Sequence, residues 1–342
     1  MNKKYKVGLV GVGAVGAEMV KVLEERNFPL AGEVKVFASR ERDEEINGKT
    51  YHVLPTTEKS FEGLDIVLFA GGTAASIAFR EAVVKAGAVM IDNSRAFRQE
   101  EGVPLVVPQV NPEDLDAIVP GKCAVVANPN CTTAIMLEAV APLHKAKKLK
   151  RLIASTYQAA SGAGAAGMEE LAEQMREKVA GKELTVKAFA HQLLDNLIPH
   201  IDKFDESNWY TLEELKMRNE ARKMLHAPDL MLSCTSVRVP ILRAHSESLN
   251  LEFEEDITPE EAREILRAST GVKVVDDPLA NQYPMPLDAT AKYDVLAGRI
   301  RQDISRNDKK GLDMFVSGDQ LLRGAALNAV EIAETLIARG RI

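Results

Sequence analysis

Lys6-Val7-Gly8-Leu9-Val10-Gly11-Val12-Gly13-Ala14-Val15-Gly16 opens with a short apolar run, continues with glycines spaced GxGxxG, and leads into a helical pattern over Ala14 to Glu25. The apolar run reads as a buried strand. The glycines permit a tight turn and close approach of backbone to a pyrophosphate, while the helix that follows offers free N–H groups and positive potential. In this context Gly11, Val12, Gly13, Ala14, Val15 and Gly16 are expected to hold a dinucleotide; by itself the pattern also fits a turn that merely joins strand to helix. Outward from it the pattern repeats. Val34 to Ala38, Ile66 to Ala70, Val89 to Asp92 and Cys123 to Ala127 are further apolar runs, with helical patterns over Ala75 to Ala86 and from Cys131 onward. Such alternation predicts an α/β fold whose first domain is a Rossmann-type parallel sheet covered by helices.

From Arg151 the character changes. Leu152 to Gln158, Met231 to Val239, His245 to Glu254, Tyr293 to Arg301 and Leu312 to Ser317 read as strands of a larger mixed or antiparallel sheet. Helical patterns over Met168 to Val179, Thr211 to Leu225 and Pro259 to Ala268 would cover one face, giving an α+β catalytic and dimerisation domain. The final segment, Asp319 to Ala338, has helical periodicity and no strand of its own, so it is expected to pack back on the first domain. The expected division is 1–129 with 318–342, and 130–317. A sheet face without helices predicts a homodimer built through the second domain.

The 342 residues, 46% of them apolar, leave room for two cores. Charged residues form 27% of the chain, and the net charge of -7 comes without a long run of one sign, which argues against a nucleic-acid partner. No stretch approaches the length of a membrane span, and glycines interrupt the N-terminal apolar run too early for a signal sequence. Cys123, Cys131 and Cys234 are few, odd in number and widely spaced. That pattern suits reduced thiols in a cytoplasm; neither a disulfide framework nor a metal site is expected.

Asn130-Cys131-Thr132-Thr133 sets a cysteine at the start of a helix just past the carboxyl end of a strand, where open α/β sheets place their chemistry. A helix N-terminus favours a thiolate, so Cys131 is the candidate nucleophile. Cys123 and Cys234, inside strand patterns, read as small buried hydrophobes. A thiolate enzyme needs a group to manage protons, and of six histidines His245 stands out, close to Arg238 in sequence. Strict alternation would put the two on opposite strand faces; Pro240 between them breaks the strand and resets that parity. Glu213 and Lys216, three apart on a helical pattern, face the same side, either as an exposed ion pair or as part of a site. Arg98 is equally open. Gln158 to Gly164 ends a strand in small residues, either a flexible connection or a place for a flat ring to approach the backbone. Ser39 and Arg40 close the second strand and suit a 2′-phosphate, hence NADP over NAD, while Glu41 and Asp43 pull the other way.

Taken together, Asp92 to Arg98 (DNSRAFR), Val103 to Asn111 (VPLVVPQVN), Ala127 to Thr133 (ANPNCTT), Ser155 to Gly164 (STYQAASGAG), Asn196 to Phe204 (NLIPHIDKF), Glu213 to Glu220 (EELKMRNE), Val237 to Ser248 (VRVPILRAHSES) and Gly318 to Glu334 (GDQLLRGAALNAVEIAE) resemble the aspartate-semialdehyde dehydrogenase family over nearly the whole chain. The resemblance implies NADPH-dependent reduction of L-aspartyl-β-phosphate to L-aspartate-β-semialdehyde in lysine, methionine and threonine biosynthesis. It implies Cys131 as the thioester nucleophile, Gln158 as the residue that helps place the thioester and His245 as the acid/base. Arg238 would clamp the substrate carboxylate and Glu213 would face its ammonium group. Arg98, Asn130 and Lys216 would hold phosphate, and Ser161, Gly162 and Gln320 would lie near the nicotinamide. The sequence departs from the family in a shorter glycine loop, in Gln320 where an asparagine is usual, and in the loop Ser39-Arg40-Glu41-Arg42-Asp43. Rival readings are an N-acetyl-γ-glutamyl-phosphate reductase and a catalytically silent NADP-binding paralogue.

Overall fold

The computed structural model describes residues 3–342, which form two packing units: 3–130 with Ala325–Ile342, and Cys131–Gly324. In the first unit, Val7–Val10 (β1) is buried at every position, as a strand covered on both faces requires. It is followed by Ala14–Glu25 (α1), Lys35–Ala38 (β2), Arg42–Ile46 (β3), Lys49–Pro55 (β4), Ile66–Phe69 (β5), Thr73–Lys85 (α2), Val89–Asp92 (β6) and Val125–Ala127 (β7). The sheet order is β3-β4-β2-β1-β5-β6-β7, parallel throughout except for the β3–β4 pair. Because β1 has β2 on one side and β5 on the other, the strand order reverses at β1. Gly11 follows directly, at the carboxyl edge of the sheet where such a reversal opens a crevice.

The β3–β4 hairpin departs from the sequence expectation, which treated residues 39–43 as a loop. Ser39 and Arg40 do form a bend, with Glu41 in no regular element, but Arg42 and Asp43 already belong to an edge strand. Only Ile46 is buried among the five residues of β3, so no hydrophobic alternation announces it. The turn does: Asn47 and Gly48 take φ of 53° and 77°, the two positive values of a type I′ hairpin turn.

In the second unit, Cys131–Lys147 (α3), Leu149–Gln158 (β8), Gly164–Val179 (α4), Leu212–Met224 (α5), Met231–Arg238 (β9), His245–Phe253 (β10), Pro259–Arg267 (α6), Val272–Val274 (β11), Pro286–Ala289 (α7), Val295–Gln302 (β12) and Gly311–Gly318 (β13) follow in order. The mixed six-stranded sheet runs β11-β12-β13-β10-β8-β9. Along β8, Leu152, Ala154, Thr156 and Gln158 are buried while Ile153, Ser155 and Tyr157 between them are less so, the period of a sheet with one face in the core. Almost all of α3 is buried, and it packs against this sheet with α5 and α6.

The chain returns to the first unit after Gly324, seven residues beyond the boundary expected at 317/318. Gly318 completes β13 opposite His245, and the side chains of Asp319 and Gln320 bond to Arg243 and Ala244, which keeps this stretch in the second unit. Leu322–Ala326 is wound as a π-turn, and the regular helix Leu327–Ala338 (α8) starts later than the periodicity suggests. Arg26 on α1 grips Glu334 on α8 through Nε and Nη2, at 2.9 Å and 2.6 Å. Asn328 donates to Val106 O and Asn128 Oδ1. Among the described residues no helix is long and apolar enough to cross a membrane.

Candidate active site

At the mouth of the second unit's sheet, β9 and β10 both flank β8, and Gln158 pairs with Arg238 in register. Ser246 pairs with Tyr157, so His245 and Gln158 come next on adjoining strands. A row Arg238–Gln158–His245 therefore crosses three strands, all three side chains buried. The chain between Arg238 and His245 leaves the sheet at Pro240 and re-enters with Ala244 at φ 73°, so alternation along a single strand does not apply to the pair.

Gln158 has a determined orientation. Its Oε1 accepts the Thr156 hydroxyl at 3.0 Å, and its Nε2 donates to Glu213 Oε1 at 3.1 Å. The other oxygen of Glu213 accepts Lys216 Nζ at 3.0 Å, and Lys216 also reaches Asp202 Oδ2 at 2.7 Å. Glu213 and Lys216 are thus a half-buried network rather than an exposed ion pair. Burial works against the charge on Lys216, but Glu213 and Asp202 outweigh it and raise its pKa. Helix α5 is started for this purpose by a capping box, Thr211 and Glu214 each bonding the other's backbone N–H.

Arg238 Nη1 donates to Ala159 O at 2.6 Å. Burial disfavours its charge, while Glu213 and Cys131 favour it. His245 Nδ1 accepts the Ala159 N–H at 3.0 Å. Gln320 takes the Ala244 N–H at 2.9 Å on Oε1 and donates its amide to the Ser161 hydroxyl, so it ties the His245 turn to the Ser161–Gly162 loop. Cys131 is half-buried at the first position of α3. Cys234 is buried beside Met217 with its thiol pushed well up by burial, the inert environment expected of a packing cysteine.

The first unit gathers its own set. Gly11 has φ 98°, and a Cβ there would lie 2.7 Å from the backbone of Ala70 and Gly71; one on Gly16 would lie 2.1 Å from Gly11 O. Nothing lies within 4 Å of a Cβ on Gly13, and no side chain caps the first turn of α1. This is a cradle of backbone donors open to an anion. Arg98 is buried, its Nε on Asn128 O at 2.9 Å and its Nη2 on Asn93 O at 3.0 Å; Asn130 is buried too. Ser39 and Arg40 are exposed, and the Arg40 guanidinium has no hydrogen bond or ion pair among the described residues. The acids that would oppose a phosphate are engaged: His52 holds Asp43 at 2.8 Å and Glu41 at 3.3 Å.

Residues 6–118 match the family described as semialdehyde dehydrogenase, NAD binding domain, and residues 140–323 match semialdehyde dehydrogenase, dimerisation domain. Aspartate-semialdehyde dehydrogenases of Synechocystis sp. and Aquifex aeolicus are each 45% identical to this chain over 344 residues, with 99% of both partners covered. The chain belongs to the aspartate-semialdehyde dehydrogenase family. The crystal structure of aspartate semialdehyde dehydrogenase II from Vibrio cholerae complexed with ASA superposes with a TM-score of 0.93 at 36% identity, covering 98% of this chain and 99% of that one. Membership in the aspartate-semialdehyde dehydrogenase family makes the protein an oxidoreductase of amino-acid biosynthesis with an NAD(P)-binding Rossmann domain and a dimerisation domain.

Sequence reasoning missed three participants in this candidate site. Asp202 completes the grip on Lys216, and Thr156 orients Gln158, but each acts across a tertiary contact that no local pattern signals. The third is the backbone of Ala159, whose N–H and C=O serve His245 and Arg238 together. Its only trace in the sequence is its place immediately after the strand carrying Gln158.

Proposed function

We propose that the enzyme reduces L-aspartyl-β-phosphate to L-aspartate-β-semialdehyde with NADPH, reversibly, through a thioester on Cys131, in the supply of lysine, methionine and threonine. The observation that carries this reading is the continuous chain Thr156–Gln158–Glu213–Lys216–Asp202 beside Arg238 and His245, in the unit whose first helix begins at Cys131. The Cys131 thiolate attacks the acyl carbon and phosphate departs. Arg98, Asn130 and Lys216 are the groups assigned to that phosphate. Arg238 presents the planar fork that suits an α-carboxylate, and Glu213 the carboxylate that suits an ammonium group. Gln158, its amide fixed from both ends, steadies the thioester. His245 meets the oxygen of the thiohemiacetal as acid/base.

The open glycine cradle at Gly11 to Gly16 fits a pyrophosphate, and Ser39 with the unpaired Arg40 fits a 2′-phosphate, which favours NADP over NAD. Ser161 and Gly162 are assigned to the nicotinamide side; Gln320 is assigned there too, although it already bonds Ala244 and Ser161. The bound cofactor would supply the hydride. A homodimer through the second unit, or a tetramer made of such dimers, fits the dimerisation-domain match, and three free cysteines fit a cytoplasmic setting.

The test is phosphate-dependent NADPH formation with aspartate semialdehyde beside N-acetylglutamate semialdehyde. Turnover of the first and not the second is expected, because Glu213 has no partner in an acetylated amine. Preference for the acetylated substrate would replace this reading by the reductase one, and turnover of neither would favour a silent paralogue.

A further inference from the structure

Arg238 answers two demands that conflict. Burial works against its charge, and a carboxylate packed on it would restore that charge while consuming the N–H groups a ligand carboxylate needs. The structure spends few of those groups: Nη1 donates to Ala159 O at 2.6 Å, and neither Nε nor Nη2 has a hydrogen-bond partner among the described residues. Glu213 and Cys131 favour the charge without bonding it. Against the guanidinium lies an aromatic ring. The Phe189 ring centroid is 5.9 Å from Arg238 Cζ, inside the range of a cation–π contact. An electron-rich ring face attracts the cation and takes up no N–H group.

Phe189 belongs to a strap, residues 180–197, with no helix or strand of its own. Such a stretch needs its backbone bonded from outside, and α4 supplies the partners. Glu170, Gln174 and Glu177 share one face of that helix. Glu177 accepts the N–H and the hydroxyl of Thr185, each at 2.6 Å. Glu170 Oε2 accepts the N–H groups of Lys187 and Ala188, and Gln174 Oε1 those of Leu193 and Leu194. Phe189 follows directly on the Glu170 clamp. Its ring packs on a cluster of Ala160, Leu171, Leu193 and Ile198, and it reaches α4 at Gly167, where a Cβ would lie 3.0 Å from Cζ. The strap leads into Ile198, whose N–H and C=O exchange bonds of 3.0 Å and 2.8 Å with the Arg238 backbone. One segment therefore fixes Arg238 both at its backbone and at its charge.

We propose that Phe189 is a positioning residue for the substrate: held by the strap, its ring caps the Arg238 guanidinium and leaves the in-plane N–H groups free to fork onto a carboxylate. This rests on the reading that Arg238 receives the substrate α-carboxylate. Phe189 acts through Arg238 and not on the reacting atoms, so its loss weakens recognition of the carboxylate and spares the chemistry at Cys131. Leucine in its place keeps an apolar cover and loses the ring face. Tyrosine keeps both.

The test uses the full chain in the phosphate-dependent assay, with aspartate semialdehyde as substrate and β-aminopropionaldehyde, the same aldehyde without its carboxylate, as competitor. Phe189→Leu should raise KM for aspartate semialdehyde roughly 3- to 30-fold, the reach of a cation–π contact. The KM for phosphate, kcat and the inhibition constant of β-aminopropionaldehyde should stay within about twofold of the parent, and Phe189→Tyr should restore the parental KM. A parental KM in Phe189→Leu, beside an Arg238→Ala variant impaired toward aspartate semialdehyde, would overturn the role of the ring. So would an equal rise in the inhibition constant of β-aminopropionaldehyde, the mark of a general loosening of the site, or a tyrosine variant as impaired as the leucine one. A parental KM in Arg238→Ala would instead remove the carboxylate reading on which the proposal stands.

Discussion

Gly162 lies directly under the Arg238 guanidinium: a methyl group on its Cα would come within 2.6 Å of Nη1 of Arg238. The guanidinium cannot simply swing away, since the same nitrogen is bound to Ala159 O. Gly162→Ala should therefore displace the group proposed to receive the substrate carboxylate. A loss of roughly 10- to 100-fold in kcat/KM is expected, with the melting temperature little changed. Steady-state kinetics beside a thermal melt decide it; a parental kcat/KM would show that the site has slack at this point.

The cysteines divide by environment. Cys131→Ala should abolish turnover and leave cofactor binding measurable by fluorescence titration, because only the proposed nucleophile is removed. Cys234→Ala should retain turnover, its thiol being buried against Met217 and pushed up by that burial. Activity that survives in the first variant and vanishes in the second would reverse the assignment.

Arg40 is the residue proposed to set cofactor choice. With Glu41 and Asp43 held by His52, this guanidinium at the end of β2 has no hydrogen bond or ion pair among the described residues. NADP should be preferred over NAD by about tenfold or more, ~1.4 kcal/mol, and Arg40→Ala should erase most of that by weakening NADP alone. The ratio of kcat/KM values for the two cofactors is the measurement. An unaltered ratio in the variant would mean that the 2′-phosphate is read elsewhere.

Arg323 and Glu138 form a pair with side chains 2% and 0% exposed, Nη1 to Oε1 3.6 Å, and Arg323 Nε also donates to Tyr293 O at 3.1 Å. Glu138 is confined from the other side, since a Cβ on Gly271 would be 1.8 Å from its Oε1. Arg323→Met leaves that carboxylate buried without its cation, at a cost of about 3–5 kcal/mol. Urea unfolding at neutral pH should show the loss as a lower midpoint; an unchanged midpoint would mean that other contacts of Glu138 suffice.

How much of this was legible depended on whether the signal was local. β1, β5 and β6 are short, fully buried and, but for Asp92 at the end of β6, without a polar side chain, so the parallel sheet could be read directly. The β3–β4 hairpin could not be read from hydrophobicity, because an edge strand that buries only Ile46 has no pattern to show; its Asn47-Gly48 turn was the available clue. Cys131 announced itself by its place at a helix start, and Arg238, Gln158 and His245 each end or begin a strand. That they form one row depends on β8 lying between β9 and β10, which is a matter of topology. Asp202, Thr156 and the Ala159 backbone act through such contacts, and no residue type marks them in advance.

Cys131 opens the second unit and Gly324 closes it, and the two touch: a Cβ on Gly324 would fall 2.5 Å from the Cys131 Cβ. The second unit is therefore an insertion whose entrance and exit share one doorway. A segment with its ends together can lengthen, shorten or be exchanged while the chain that hosts it bridges the same small gap, so the loop-closure entropy of the host varies only weakly with the insert's length. The same adjacency makes the second unit suited to circular permutation, with a short linker across Cys131 and Gly324 and new termini in an exposed loop. Cys131, the proposed nucleophile, stands at that doorway, so any rejoining of the chain there has to leave its backbone undisturbed.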